Sequence, residues 1–277
     1  VSYKCFFMSH PAFQRWSLPA LFVLCGMAVA FIRSSSESNG VAPETLPYLI
    51  AWQYAILAAL GGGALILIFS RAKSRIGWEA VLTLALFLGV WFWFLLVLPL
   101  QIALLLAATL TVVALVFRRV ILHDIFLLLG AMGVAINLAS WLPGGMLLMV
   151  LAAFTVYDTV AGAPDGPIVE LAKSLIARQI VPGVILPARP QDLSLAVSSA
   201  LKTPAVFLGA GDVVLPLTLV SRAAMSGLLP ALIVTGGLSL GAIVLVGRKD
   251  LHPRAALLPL AAGVALPFLV LTLLGLI

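Results

Sequence analysis

Charged side chains are scarce in this chain. Asp, Glu, Lys and Arg make up only 9% of its 277 residues, whereas 63% are hydrophobic, and soluble domains carry about 25% charged residues. This number of charged residues is too small to cover the surface of a globular protein in water. The composition therefore excludes a soluble globular protein and predicts an integral membrane protein. The net charge of +6 then reflects basic residues that set topology and contact the lipid bilayer, and we expect no nucleic-acid partner.

Residue types that bind metals are also few. The chain has two cysteines and three histidines, and they form no C-x-x-C pair or histidine cluster of the kind that holds a metal ion. We therefore predict no metal and no cofactor. The histidines, His10, His123 and His252, all fall in polar connections, where we expect them on the surface.

Long apolar runs dominate what is present. A helix needs about 20 apolar residues to cross a bilayer core, and nine segments qualify. They are residues 18–32, 48–69, 78–98, 100–117, 124–140, 143–162, 201–219, 225–246 and 255–276. The predicted fold is all-α, a single membrane domain over residues 1–277 with nine transmembrane helices, in which a cytoplasmic connection at 163–200 separates the first six from the last three.

The basic residues divide unevenly between the two sides that these helices define. Connections on the N-terminal side hold 14 Lys and Arg residues, and those on the other side hold only Arg33 and Arg222. The positive-inside rule places the N-terminus in the cytoplasm and the C-terminus outside, and we expect a multi-pass protein of the cell membrane. Residues 28–30 (AVA) also resemble a signal-peptide cleavage site, although this charge pattern favours keeping the first segment as a helix.

The 163–200 connection carries two local patterns. The apolar residues of IVELAKSLIA at 168–177 recur with helical spacing and predict an amphipathic helix on the membrane surface. The stretch VILP at 184–187, between two prolines, predicts a short extended segment. The remainder is expected to be a linker.

Two of the ten acidic residues lie inside predicted membrane helices, Asp158 in FTVYDTVAG and Asp212 in FLGAGDVVLP. Glu79 and Asp124 fall at predicted helix edges, where a charge can reach water. An ionised Asp near the bilayer centre costs about 3 kcal/mol or more, so such a residue usually serves a function. The simpler alternative is a protonated Asp bonded to a neighbouring carbonyl. Two such residues on consecutive helices, without an intramembrane Lys, Arg or His, weaken that alternative.

Two carboxyl groups that face each other across a water-filled pocket share one proton, because the repulsion between two negative charges makes ionisation of both unfavourable. The ionised partner can act as a general base on water, and the protonated partner can polarise a carbonyl and donate to a leaving amine. This is the chemistry of aspartic proteases. Gly209 and Gly211 would let another backbone approach Asp212 closely.

The predicted helices leave these aspartates at different depths. Asp158 would lie about 6 Å from the cytoplasmic end of the sixth predicted helix, and Asp212 about 16 Å along the seventh. Either the sixth helix extends further or the seventh is distorted near its glycines.

These residues resemble the presenilin and signal peptide peptidase family of intramembrane aspartyl proteases. Tyr157-Asp158 is similar to its YD motif, and Gly209-Ala210-Gly211-Asp212 to its GxGD motif. The family's Pro-Ala-Leu motif opens the ninth helix, where this chain has Pro259-Leu260-Ala261 with Ala and Leu exchanged. A literal Pro230-Ala231-Leu232 falls inside the eighth predicted helix, and we favour Pro259 by position.

The resemblance, which in size and orientation is greatest to archaeal presenilin homologues, has definite implications. It implies that Asp158 and Asp212 are catalytic and cleave transmembrane-helix substrates within the bilayer. It implies supporting or substrate-binding roles for Tyr157, the two glycines and Pro259-Leu260-Ala261. It also implies that part of the 163–200 connection pairs with an unwound substrate as a strand, which suits VILP.

Two alternatives stay open. Prepilin peptidases also carry G-x-G-D, but their aspartates lie near the cytoplasmic edge. A proton-coupled transporter or channel could use paired intramembrane carboxylates as a proton relay, although the chain shows no pair of similar halves. The substrate, the cleaved bond, the need for partner subunits and the oligomeric state, with a homo-oligomer as one option, stay open too.

Overall fold

Helices make up most of the structure. The computed structural model describes residues 12–38, 53, 75–161, 167–247 and 257–277. The helices in these ranges are α1 Ala12–Ser38, α2 Arg75–Leu95, α3 Leu100–Phe117, α4 Val120–Trp141, α5 Gly144–Ala161, α6 Pro167–Ala177, α7 Val197–Ala200, α8 Ala210–Ala224, α9 Leu228–Gly247 and α10 Leu257–Leu273. Two short strands, β1 Gly183–Pro187 and β2 Ala205–Gly209, pair antiparallel, and a turn of 3-10 helix covers Pro190–Ser194.

Seven of these helices agree with predicted membrane segments. Within the described residues, α1, α2, α3, α4 and α9 are long and apolar enough to cross a membrane, and α5 and α10 are shorter apolar helices. The chain is therefore a multi-pass membrane protein. The predicted segment 48–69 lies outside the described residues except for Gln53, and the count of nine helices and the orientation of the termini stay predictions.

The core lies where α1, α4, α8, α9 and α10 meet. Its largest cluster includes the buried side chains Phe22, Leu127, Leu217, Leu238 and Leu260. In contrast, α3 contacts mainly α2 and has few buried residues. Both α4 and α3 are apolar on all sides, as helices of a membrane bundle usually are. They differ in how much of their surface is covered by neighbouring helices: much of α4 is covered, whereas most of α3 is left to face lipid.

Small residues let α2 and α4 approach closely. A Cβ placed on Gly133 would overlap the carbonyl oxygen of Gly89, and one on Gly89 would overlap that of Gly130. Lipid supplies little hydrophobic force between helices, so such van der Waals contact between backbones is a main source of their association.

The prediction of a helix over 201–219 is wrong in its first half. Residues 205–209 form β2, and the helix begins only at Ala210 and continues to Ala224. The sequence of this stretch explains the difference. Pro204 lacks an N–H, Val206 and Phe207 favour extended backbone, and glycines weaken a helix start at 209–211.

The connection before β2 is more ordered than a linker. The predicted amphipathic helix is confirmed as α6, and the predicted extended segment VILP is confirmed as part of β1. All five residues of β1 are buried. Because successive side chains in a strand alternate, Val184 and Leu186 join the main core, whereas Ile185 packs on Val120 at the start of α4. The β1 strand thus lies between the helical core on one face and the start of α4 on the other.

Candidate active site

Asp158 and Asp212 lie near the ends of two contacting helices. Asp158 is in the last turn of α5, three residues before Ala161, and Asp212 is the third residue of α8. Because β2 takes up residues 205–209, Asp212 is only about 3 Å along its helix. The predicted difference in depth therefore came from treating 201–209 as helix. Of the two explanations that the sequence left open, the distortion of the seventh segment is the one observed.

The first turn of α8 orients the Asp212 carboxylate. Gly209 is the N-cap residue, and its backbone N–H donates to Asp212 Oδ2 at 3.1 Å. An acidic residue at the third helical position can reach back to the N-cap N–H in this way, and the partial positive charge of the helix N-terminus favours it there.

Asp158 faces the same region from α5. The charges of Asp158 and Asp212 are close enough to interact, and α5, α8 and α10 contact one another. The backbone N–H of Leu257, the first residue of α10, lies in position to donate to the Asp158 carboxylate. Each aspartate thus has one backbone N–H beside its carboxylate: that of Gly209, the N-cap of α8, for Asp212, and that of Leu257, at the start of α10, for Asp158.

The start of α10 is also where the Pro-Ala-Leu counterpart was predicted. Pro259, Leu260 and Ala261 are all buried in the first turns of this helix, two to four residues after the N–H that faces Asp158. The literal Pro230-Ala231-Leu232 is elsewhere, because Ala231 packs on Ala30 and on Ala224, at the far end of α8 from Asp212. Of the two prolines, Pro259 is the one near Asp158, and its role as the Pro-Ala-Leu counterpart stays a prediction.

The other two candidate residues face open space. Tyr157 is 53% exposed on α5. A Cβ on Gly211 would meet no heavy atom of the described residues within 4 Å, whereas one on Gly209 would lie 3.1 Å from Asp212 Oδ2. The two glycines therefore differ: Gly209 leaves room for the carboxylate, and Gly211 leaves room beside it.

Three polar residues near the sheet, and one glycine, were not identified from the sequence. Asp124, expected to reach water, is only 7% exposed, and its Oδ1 accepts the N–H of Ile185 at 3.0 Å. His123, expected on the surface, is partly buried beside Gly183, and Gln14 of α1 donates to Leu186. The predictions for Asp124 and His123 were wrong, and Gln14 was missed, because each partner is 60 or more residues distant along the chain.

The overlooked glycine, Gly241, lies on α9. A Cβ at this position would overlap the carbonyl oxygen of Pro259, so the glycine lets α9 support the start of α10. G-G and G-x-x-x-G spacing in the apolar run of α9 is the only sequence signal for it, and that signal does not name the partner helix.

The described residues contain no group of three or more His, Cys, Asp or Glu side chains that could hold a metal ion. What the site does bring together is the two helix ends that carry the Asp158 and Asp212 carboxyl groups. A carboxyl pair of this kind can activate a water molecule by general acid–base chemistry.

Comparison with known proteins bears on this arrangement. No protein-family profile and no curated protein matches the sequence. The solved structures that do match include two of a presenilin family intramembrane aspartate protease, in the P2 and C222 space groups. Each is 21% identical to this chain with a TM-score of 0.60, and the match covers 94% of this chain and 97% or 99% of the other.

This chain has the fold of a presenilin-family intramembrane aspartate protease. The likeness extends over nearly the whole length of both chains, so the presenilin-family fold includes the helices that carry Asp158 and Asp212. It confirms, at the level of fold, the resemblance drawn from the sequence motifs. The chemistry of the site rests on the side chains of this chain themselves.

Proposed function

We propose that this protein is an intramembrane aspartyl endopeptidase that hydrolyses peptide bonds in the transmembrane helices of substrate proteins. Asp158 and Asp212 are its catalytic residues and one water molecule is its nucleophile. The observation that carries the proposal is that Asp158, in the last turn of α5, and Asp212, in the first turn of α8, lie at the ends of two helices that contact each other and α10. The presenilin-family fold and the apolar composition support the same function.

The reaction needs only one proton shared by the pair. The ionised aspartate takes a proton from water as the water oxygen bonds to the substrate carbonyl carbon, and the protonated aspartate donates to the carbonyl oxygen. When the C–N bond breaks, the amine nitrogen takes up a proton from one aspartate, and a hydroxyl of the diol gives its proton to the other aspartate as the carbonyl re-forms. The products are a carboxylic acid and an amine, and the pair again holds one proton.

The outer edge of β2 supports the binding of an extended substrate. Ala188 N–H donates to Pro204 and Ala210 N–H to Pro182, both at 3.0 Å. These two hydrogen bonds lie at the two ends of the region where β1 and β2 pair. Hydrogen-bonded positions alternate along an antiparallel pair, so on β2 the residues that bond to β1 are Val206 and Leu208. The backbone N–H and C=O groups of the residues between them, including Phe207, therefore point away from β1.

An edge of this kind cannot face lipid. Unpaired strand groups in the hydrocarbon region cost several kcal/mol each unless they face water or protein. Within the described residues, the only side chain that bonds to this edge is Asp212, at Gly209. An unwound substrate segment that pairs with β2 would satisfy the edge and bring its own peptide bonds beside the Asp212 carboxylate.

The protease activity is tested with purified protein and a transmembrane peptide in detergent. Asp158→Asn and Asp212→Asn should each abolish cleavage and leave the fold largely intact, because a neutral amide of the same size costs less to remove from water than a charge. Glu79→Gln is the matched control. Glu79 forms a 3.5 Å ion pair with Arg118 between the peripheral helices α2 and α3, so its loss should leave activity unchanged. Retained cleavage in either aspartate variant would rule out the mechanism.

The alternatives give different results in the same preparation. A proton-coupled transporter would leave the peptide intact and show proton-linked uptake in liposomes that depends on both aspartates. A prepilin-peptidase-like enzyme would cut the peptide at its cytoplasmic edge rather than within the membrane segment. We place the protein in the cell membrane, and its partners are the lipid bilayer and transmembrane-helix substrates.

A further inference from the structure

The outer edge of β1 is closed by side chains of α4. Asp124 Oδ1 accepts the outward N–H of Ile185 at 3.0 Å, and both residues are buried. One residue earlier on the helix, His123 Nε2 lies 3.1 Å from the outward carbonyl oxygen of Gly183. Consecutive residues of one helix thus contact alternate residues of one strand, at the positions where a third strand would bond.

A further side chain holds β1 from another direction. Gln14 Nε2, in α1, donates to the carbonyl oxygen of Leu186 at 3.0 Å, and Gln14 is itself buried. The β1 strand is therefore attached to α1 and α4 through hydrogen bonds that are independent of its pairing with β2. We refer to Gln14, His123 and Asp124 as the β1 clasp.

A carboxylate is well suited to end a sheet. It accepts a hydrogen bond from the strand but offers no N–H, so it satisfies the edge without presenting a new edge to another chain. The two edges of the hairpin consequently differ. The clasp occupies β1, while the edge of β2 bonds, among described side chains, only to Asp212.

We propose that Asp124 is a positioning residue that determines the register of cleavage, an inference that rests on the proposed protease function. By closing β1, Asp124 restricts an incoming substrate strand to β2, which continues directly into Asp212. By anchoring Ile185 to α4, it also fixes β1 behind β2, and α4 in turn packs on α8. A register shift of one residue moves every side chain of a strand to the opposite face of the sheet. If β1 were loosened, such a shift would present neighbouring peptide bonds of the substrate to the aspartates.

A merely structural Asp124 would lower the amount of folded enzyme but would not change which bonds are cut. The experiment therefore maps cleavage positions in a transmembrane peptide by mass spectrometry and measures kcat/KM for the full chain in detergent. Asp124→Asn keeps an Oδ1 acceptor and should retain the wild-type cleavage positions. Asp124→Leu removes the acceptor and should add products cut at neighbouring bonds, with kcat/KM lower by about 10- to 100-fold, the size expected for an unsatisfied buried donor.

Two results would overturn the inference. One is folded Asp124→Leu protein with wild-type cleavage positions, and the other is Asp124→Asn protein with the same shift as Asp124→Leu. If Asp124→Leu does not fold, Gln14→Leu decides, because it removes another anchor of β1. Gln14→Leu should add products that are cut at neighbouring bonds. Wild-type cleavage positions in this variant would equally overturn the inference.

Amide hydrogen exchange separates this inference from the proposed function. In the full chain, amide exchange at Ile185 should be slow in the wild type and in Asp124→Asn, and much faster in Asp124→Leu. If Asp124→Leu does not fold, Gln14→Leu should show the faster exchange. Wild-type protein that cleaves no transmembrane peptide would refute the protease proposal, while faster exchange at Ile185 in Asp124→Leu than in the wild type would still show that Asp124 holds β1. Cleavage that depends on Asp158 and Asp212, with wild-type positions in the clasp variants, would refute only the inference.

Discussion

Asp212 Oδ2 accepts a hydrogen bond from the backbone N–H of Gly209 at 3.1 Å, across the first turn of α8. Gly209 is at once the last residue of β2 and the N-cap of this helix. One residue therefore ends the strand edge that we propose for substrate binding and orients a proposed catalytic carboxylate. In a substrate complex of the kind that we propose, this junction would fix the distance between the substrate strand on β2 and the carboxylate.

The two glycines of G-x-G should respond differently to alanine. In Gly209→Ala, the new Cβ would lie 3.1 Å from Asp212 Oδ2, so the carboxylate must move, and we expect kcat to fall about 10- to 100-fold. In Gly211→Ala, the Cβ meets no described atom within 4 Å, so any loss should appear mainly in KM, where a substrate approaches. Steady-state cleavage kinetics separate the two. Equal losses of kcat in both variants would contradict the distinction.

The outward N–H of Phe207 should matter more than its side chain. Phe207→Pro removes this donor without breaking a ladder bond to β1, since proline is tolerated on an open strand edge. We expect kcat/KM to fall about tenfold, the order of one lost backbone hydrogen bond. Phe207→Ala keeps the N–H and is the matched control. A proline variant that cleaves as well as the alanine variant would exclude substrate pairing at this edge.

Pro259 and Pro230 should differ in their effect on activity. Pro259 is buried two residues after Leu257, whose N–H faces Asp158, so Pro259→Ala should reduce cleavage at least about tenfold through misplacement of that contact. Pro230 lies in the first turn of α9, where proline is readily replaced, and Pro230→Ala should cleave like the wild type. The reverse order of effects would reassign the Pro-Ala-Leu counterpart to residues 230–232.

Contact between α9 and α10 should depend on Gly241. In Gly241→Ala the Cβ would overlap the Pro259 carbonyl oxygen, and overpacking of this kind costs about 1–3 kcal/mol. Thermal unfolding in detergent should therefore show a lower midpoint. Gly236→Ala, on the same helix, meets no described atom within 4 Å and should be neutral or slightly stabilising, because alanine favours helix. Equal midpoints for both variants would contradict the tight packing.

The pH profile should report the shared proton. One aspartate must be protonated for cleavage and its partner ionised, so the rate should fall in alkali as that proton is lost and fall in acid as the base is protonated. Initial rates across the pH range, with folding checked at each pH, test this expectation. A rate that still rises near about pH 9 would exclude proton sharing by Asp158 and Asp212.

Much of the molecule could be predicted from local signals. The apolar runs predicted α3 at 100–117 to the residue, because its boundaries, Pro99 and the Arg118–Arg119 pair, are local features. Asp158 and Asp212 could be singled out because a carboxylate within an apolar run is unusual wherever the chain goes. The helix over 201–209 was mispredicted, since an apolar run alone does not distinguish a buried strand from a helix.

The sequence by itself determined that this is a multi-pass helical membrane protein with two acids among apolar residues, because composition and hydrophobic length depend on no distant contact. Only the tertiary structure decided that residues 205–209 pair with β1 and that Asp212 begins a helix. It also decided that Leu257 faces Asp158 and that Asp124 closes a strand edge. The β1–β2 pairing, the Leu257 contact and the Asp124 contact each depend on hydrogen bonds between groups far apart in the chain, and such partners are chosen by packing rather than by local pattern. Asp212 begins a helix because that pairing takes up residues 205–209.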